Sequence, residues 1–380
     1  MLDLCAPPFV PERVREGESV AMDTPQSESH RRSSAPVRRL LVTGISGNLG
    51  ARLAPLLQGF DLFSADLYPP RSSTSAGKFF LLDLSTSAGQ SAIGELIERE
   101  GIEAILHLAF VIDPVQTGIL DPQRMWRANV VATQKLLEAV AACNRSSTRV
   151  RLFVFPSSVS AYGPDLPPFV GEDAPLAAHT LPYAIHKKAS DELCRRFHPK
   201  LGGCAVYVFR PHIFAGATVN NFILHAMRGR ASGRGWLARL AERQRWRIPI
   251  LLPAFSKGEN LIQFVHVDDM ARVLFWTLTH FAPGELKIIN LAGSGPPVSF
   301  VECARMSGTP ILRVPGETSV SLLLKLFWTL GLSGVPPEAL PYFLGSYTMD
   351  TSRLQSELGR DYPSVIQWSS RDAIADALKL

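Results

Sequence analysis

The segment Thr43-Gly44-Ile45-Ser46-Gly47-Asn48-Leu49-Gly50 constrains this chain more than any other. It follows the apolar run Leu40-Leu41-Val42 and precedes Ala51-Arg52-Leu53-Ala54-Pro55-Leu56-Leu57, so Gly44, Gly47 and Gly50 stand where a buried strand turns into a helix. Glycine answers three needs there: unusual backbone angles, close approach to phosphate oxygens, and a helix lying tight on its strand. Amides unpaired at the helix N-terminus, from Asn48 and Leu49 onward, then hold a pyrophosphate.

Asp66 ends the next strand-like run about twenty residues on, the position from which a carboxylate accepts both hydroxyls of an adenine ribose. A 2′-phosphate beside it would cost a few kcal/mol, so the expected cofactor is NAD rather than NADP. Arg52 and Arg71 are the arguments for NADP. Asp83-Leu84 closes the third run, where the carboxylate either reaches the adenine amino group or caps a helix. His107-Leu108-Ala109-Phe110 closes the fourth; small Ala109 lets the cofactor backbone approach, and His107 is expected to be a satisfied core histidine.

Apolar runs at Leu40–Val42, Leu62–Ala65, Phe79–Leu82, Ala104–Leu108, Leu152–Phe155, Ala205–Phe209 and Lys287–Leu291 alternate with helical stretches at Ser91–Glu100, Pro122–Ala142 and Tyr183–Phe197. The pattern predicts an α/β fold, a doubly wound parallel sheet of the Rossmann kind, with function at the carboxyl ends of the strands. With 380 residues, 46% of them apolar, there is room for one such unit and a smaller lobe. Residues 37–210 with 262–292 are expected to form the NAD-binding domain, and 211–261 with 293–380 the smaller α/β substrate lobe. Residues 1–36, rich in Pro, Ser, Glu and Arg, read as a disordered tail, within which Met22 is an alternative start.

A net charge of +5, concentrated in that tail and one Arg-rich segment, gives no reason to expect nucleic acid as a partner. The five cysteines are scattered without metal-like spacing, no metal site is expected, and no signal-like apolar core opens the chain, so the expected location is cytoplasmic.

Tyr183-Ala184-Ile185-His186-Lys187 places a phenol and an ammonium one helical turn apart. A free tyrosine titrates near ~10, and the ammonium is expected to lower Tyr183 far enough for proton transfer near neutrality. Ser158 lies just past a strand end, where it and neighbouring Ser157 fit a turn equally well.

From Val37 onward the chain resembles the extended short-chain dehydrogenase/reductases, specifically the NAD-dependent epimerase/dehydratase family. The resemblance rests on the glycine segment, Asp66, Asp83-Leu84, His107-Leu108-Ala109, Asn129-Val130-Val131-Ala132-Thr133, Ser157 to Gly163, Tyr183-x-x-x-Lys187, Arg210-Pro211, Phe264 to Asp269, Asn290 to Gly293 and Met349 to Leu354. It implies Ser158, Tyr183 and Lys187 as the catalytic set, with Tyr183 exchanging a proton with a substrate hydroxyl or carbonyl while hydride passes to or from NAD. It implies Lys187 on the nicotinamide ribose, Asn129 bracing the active-site backbone, and Leu108, Ala109 and Pro211 beside the cofactor. A homodimer through helices such as Pro122–Ala142 and Tyr183–Phe197 is common in the family.

The chain departs from sugar-nucleotide epimerases of that family at Ile262-Gln263, where those carry Arg-Asp, and at Ile213, where they often carry Asn. A charge-assisted clamp is lost there. The small-molecule substrate is therefore a sugar-like or an apolar alcohol or ketone, the latter steroid- or lipid-like. Asn220-Asn221 and the arginines 228, 230, 234, 239, 243, 245 and 247 are compensating candidates for phosphate, or a solvated face. The apolar run Val320–Leu332 is expected to be core packing or a subunit contact; an interfacial membrane helix is the sharper and less favoured alternative.

Overall fold

Side chains of Arg39–Thr43 (β1) alternate between two apolar layers. Leu40 and Val42 pack with Leu53, Leu57, Leu106, Val154, Tyr207 and Leu274, whereas Leu41 packs with Ile97, Ile105, Leu137, Phe153 and Val206. A strand buried on both faces has to be central in its sheet, and β1 is. In the computed structural model the described residues are 36–70, 77–112, 117–119, 121–146, 150–164, 166–233, 235–254 and 260–379. The tail expected over residues 1–36 lies, up to residue 35, outside them, as do Arg71 and Arg234.

Six more strands join β1: β2 (Asp61–Asp66), β3 (Lys78–Leu81), β4 (Ala104–His107), β5 (Leu152–Pro156), β6 (Ala205–Pro211) and, after β7 (Ile213–Ala215), β8 (Ile250–Pro253), β9 (Leu261–Ile262) and β10 (Phe264–His266), the strand β11 (Leu286–Leu291). All pairs are parallel, in the order β11-β6-β5-β4-β1-β2-β3. Chain order reverses between β1 and β4, so the crevice for a ligand opens above that pair. Every one of the expected apolar runs is a strand of this doubly wound sheet.

Helices α1 (Asn48–Leu53), α2 (Ser87–Glu100), α3 (Pro122–Trp126), α4 (Ala132–Arg145) and α5 (Pro182–Phe197) follow in chain order. The expected helix over Ser91–Glu100 begins a turn earlier because Thr86 caps it, its hydroxyl accepting the Gly89 amide at 3.1 Å. The stretch expected as one helix over Pro122–Ala142 is interrupted by a π turn, Arg127–Val131, which turns Asn129 inward.

Outside the sheet, α6 (Phe222–Met227), α7 (Trp236–Arg243), α8 (Val267–His280), β12 (Val298–Ser299), α9 (Phe300–Ser307), β13 (Ile311–Val314) and α10 (Gly316–Thr329) follow. Three short ladders, β7 with β10, β9 with β12 and β8 with β13, surround a separate apolar cluster that includes Leu224, Leu252, Phe264, Phe300 and Ile374.

Candidate active site

The glycine segment lies at the head of β1, and its geometry shows which glycines are obligatory. Gly44 has φ +78°, and a Cβ on it would lie 2.4 Å from the Ala109 amide nitrogen, so the backbone after β4 presses directly on the turn. A Cβ on Gly50 would meet the Ile45 carbonyl oxygen at 2.3 Å, which is the tight strand-to-helix packing read from the sequence. Gly47 starts α1 without a side-chain cap, leaving the leading amides of Asn48, Leu49 and Gly50 for an anion. Leu49 is half-buried between two apolar clusters, and the Asn48 side chain donates to the Thr218 carbonyl at 2.9 Å.

Asp66 ends β2 beside this turn. Its carboxylate accepts the Ser46 amide at 2.8 Å and the Leu67 amide at 2.6 Å, an anion held in place at the rim. A glycine cradle with free amides and a neighbouring fixed carboxylate fits a dinucleotide whose adenine ribose keeps its 2′-hydroxyl.

Asp83 is committed otherwise than as a helix cap. One oxygen accepts the Ser85 amide and hydroxyl at 2.9 and 2.5 Å, and the other pairs with Arg124 at 2.9 Å. Thr86, three residues on, does the capping, which corrects the alternative reading of Asp83. Partial burial opposes ionisation, but the Ser85 bonds and Arg124 together hold the Asp83 carboxyl below its ordinary range. Leu84 and Leu108 back the two opposite apolar layers, and Pro211 closes β6, paired with Leu291.

Below the crevice, His107 is the satisfied core residue the sequence suggested. Its Nδ1 lies 2.7 Å from the Thr43 hydroxyl and its Nε2 lies 3.0 Å from that of Thr133. Thr133 donates its own hydrogen to the Asn129 carbonyl at 2.6 Å, and Thr43 accepts the Ala109 amide at 3.3 Å. These directions fix the tautomer, with hydrogen on Nε2. Burial, then the charge of Lys187, pushes His107 down to about 3. Asn129 reads both backbone groups of Val111, accepting its amide at 2.7 Å and donating to its carbonyl at 3.0 Å. The loop after β4 is thereby pinned from below.

Helix α5 carries Tyr183 and Lys187 on one face toward β5. Ser158, which starts the short turn Val159–Tyr162, accepts the Ser160 amide at 3.1 Å, and its hydroxyl is the polar neighbour that acts on the Tyr183 phenol. Ser157 is buried, its hydroxyl without a partner among the described residues. The Lys187 ammonium donates to the Pro156 carbonyl and lies 3.7 Å from the Phe110 ring centroid, 4.7 Å from Phe155 and 5.9 Å from Tyr183. Phe110, whose ring also meets Tyr183 edge-on at 6.0 Å, is thus part of the lysine's surroundings.

The expected depression of Tyr183 is not what this arrangement produces. Burial raises Tyr183 to about 12, with only the Ser158 bond pulling the other way. Burial lowers Lys187 to about 7, against the upward pull of Cys194 and Asp191. Dehydration outweighs an amine already engaged by a carbonyl and two ring faces.

Sequence reasoning missed a second buried set behind these groups. Arg210, fully buried at the end of β6, makes a two-pronged pair with Asp191 of α5 at 2.9 and 3.0 Å and donates to the Tyr162 hydroxyl at 2.8 Å. Tyr162 donates to Asn290 at 2.7 Å, and the Asn290 amide donates to Glu172 at 2.9 Å. One signal was available: Asp191 repeats the Tyr183–Lys187 step of four on the same helix face. Ile262 and Gln263, where an arginine was noted missing, are both buried, Gln263 accepting the Met349 amide at 2.8 Å.

Comparison with known proteins agrees with this construction. The chain is 25% identical over 172 residues to an uncharacterized epimerase/dehydratase of Staphylococcus saprophyticus, a match over 44% of this chain and 50% of that protein. It is 25% identical to the UDP-glucose 4-epimerase of Erwinia amylovora over 70% of this chain and 81% of that one. Among solved structures, MoeE5 in complex with UDP-glucuronic acid and NAD superposes with a TM-score of 0.58 at 23% identity, over 90% of this chain and 98% of that chain, a likeness of fold. Residues 40–292, from the first strand of the sheet past its last, match the sequence profile of the NAD dependent epimerase/dehydratase family, and the chain belongs to that family of extended short-chain dehydrogenase/reductase enzymes, whose cofactor is NAD.

Proposed function

We infer that the protein moves hydride between NAD and a secondary alcohol or ketone carbon of a small sugar-like or apolar substrate, with Tyr183 exchanging the proton. The observation that carries this reading is the placement of Tyr183 and Lys187 one helical turn apart on the same face of α5, the ammonium 5.9 Å from the Tyr183 ring centroid, with the Ser158 hydroxyl beside the phenol. NAD, when bound, supplies the hydride acceptor or donor and a cationic ring. Ser158 orients the phenol and is the hydroxyl available to the reacting oxygen. Tyr183, held up at about 12, keeps its hydrogen near neutrality and so carries the proton a carbonyl would take. Its use as a base requires positive charge beyond that of Lys187, which the cationic ring of bound NAD would supply.

The residues assigned to NAD are Gly44, Gly47, Asn48, Leu49, Gly50, Asp66, Asp83, Leu84, Leu108, Ala109, Asn129, Tyr183, Lys187 and Pro211. Residues 211–261 and 293–380 are assigned to the substrate side. Two buried neutral residues at 262 and 263 support a substrate not gripped there by a diphosphate clamp, and the half-buried Phe214 supports an apolar one.

Tyr183→Phe should cut turnover by ~10²-fold or more while NAD still binds. Turnover equal to that of the unaltered protein would remove Tyr183 from the chemistry. Absorbance of NADH accumulating at steady state separates net oxidation from epimerisation, in which the hydride returns.

A further inference from the structure

The apolar run Val320–Leu332, expected as core packing or a subunit contact, is buried along only part of its circumference. Helix α10 turns Val320 and Leu324 inward, while Leu322, Leu326 and Leu330, spaced by four along the opposite side, are 64%, 50% and 41% exposed. Trp328 continues the row of Val320 and Leu324 and emerges, 42% exposed, at the C-terminal end of the helix. Apolar side chains in such a row are costly to leave in water.

Helix α7 has the same construction. Ala238 and Ala241 face inward, and Trp236, Arg239 and Arg243 share the outward side, with Trp236 66% exposed. Trp246, Arg245 and Arg247 continue the exposed surface just after the helix. The two helices meet end to end: the Ser232 and Gly233 amides donate to the Leu332 carbonyl at 3.2 and 3.3 Å, and a Cβ on Gly235 would lie 3.0 Å from the Leu330 carbonyl oxygen. Trp236 therefore continues the apolar surface that ends at Leu330. Residues 228–247 contain seven arginines against the single acid Glu242. Arg228 is turned inward onto the Ala377 carbonyl, and Arg247 remains exposed while donating to Ser307.

We propose that this face, built from α7 and α10, docks on an anionic lipid surface. The leucine stripe enters the headgroup boundary, the tryptophans sit at its level, and the arginines meet lipid phosphate. Charge selects this occupant. A second copy of the chain, brought up across a two-fold axis, would set arginine against arginine, and a nucleic acid offers nothing for the leucines. The contact is superficial, since no helix among the described residues is long and apolar enough to cross a membrane. It is independent of the hydride-transfer reading.

The test is sedimentation of the full chain with phosphatidylcholine vesicles, with and without phosphatidylglycerol, at low and high salt, alongside tryptophan emission. Binding is expected only with phosphatidylglycerol, weakened about tenfold or more by high salt, with a blue shift of emission. Leu322→Asn with Leu326→Asn, and separately Arg239→Glu with Arg243→Glu, should each lower binding about tenfold. NAD binding and the melting temperature should stay unchanged in both variants. No sedimentation at low salt, or binding indifferent to phosphatidylglycerol and to the arginine changes, overturns the proposal. A dimer in light scattering that the leucine variant converts to monomer also overturns it, assigning the face to a second copy.

Discussion

His212 shows how a single buried side chain can carry a pH dependence. Its Nε2 donates to the Tyr347 carbonyl at 2.9 Å and its Nδ1 accepts the Ile213 amide at 2.9 Å, so both nitrogens are committed to the neutral ring. Burial lowers its pKa to about 4, the Tyr347 bond resisting. Between that value and the ordinary 6.5, the unfolded chain binds a proton that the folded chain refuses, and stability falls as pH is lowered through this window. From pH 7 to pH 4 the loss due to His212 is about 3 kcal/mol. Urea unfolding at the two values should show His212→Gln losing less stability over that span than the unaltered protein. Equal losses would mean that the ring is not held neutral. His107 behaves alike, and its core role was legible because a histidine after three apolar strand residues has only hydroxyls and backbone to satisfy it.

At the scale of elements, the pair between Arg210 of β6 and Asp191 of α5 fixes the helix that carries Tyr183 and Lys187. Both side chains are 0% exposed, so each ion depends on the other for compensation. Arg210→Met leaves the Asp191 carboxylate buried and unpaired, and should cost about 3–5 kcal/mol in chemical unfolding with a fall in turnover. Adding Asp191→Leu should restore much of the stability; a double variant as unstable as the single one would refute the pairing argument. Strands and the glycine turn were readable because their signals are local: an apolar run, then a glycine. The π turn at Arg127–Val131 was not, because one extra residue in a helical turn leaves the apolar spacing on either side intact. The Arg210 set was hidden for another reason: its partners come from positions 162, 172, 191 and 290, joined only by the fold.

Across the whole molecule, the turn after β1, Asp66 on β2 and the residues of β5 and α5 belong to both halves of one sheet. NAD bound as proposed would bridge them and stabilise the sheet as a unit. At a concentration of about 100 Kd it should raise the unfolding free energy by about 2.7 kcal/mol, seen as one concentration-dependent shift in melting. NADP at equal concentration should shift melting less, because its 2′-phosphate would face the Asp66 carboxylate. A larger shift with NADP would show that Asp66 does not read the ribose. The bonds beneath the crevice run in one direction: the Ala109 amide gives to Thr43, Thr43 to His107, His107 to Thr133, and Thr133 to the Asn129 carbonyl. Such a file of hydrogens has a polarity, like a row of arrows, and no link can be reversed alone. The floor of the crevice is consequently locked into one orientation that couples the head of the first strand to the interrupted helix, although their sequence positions lie far apart.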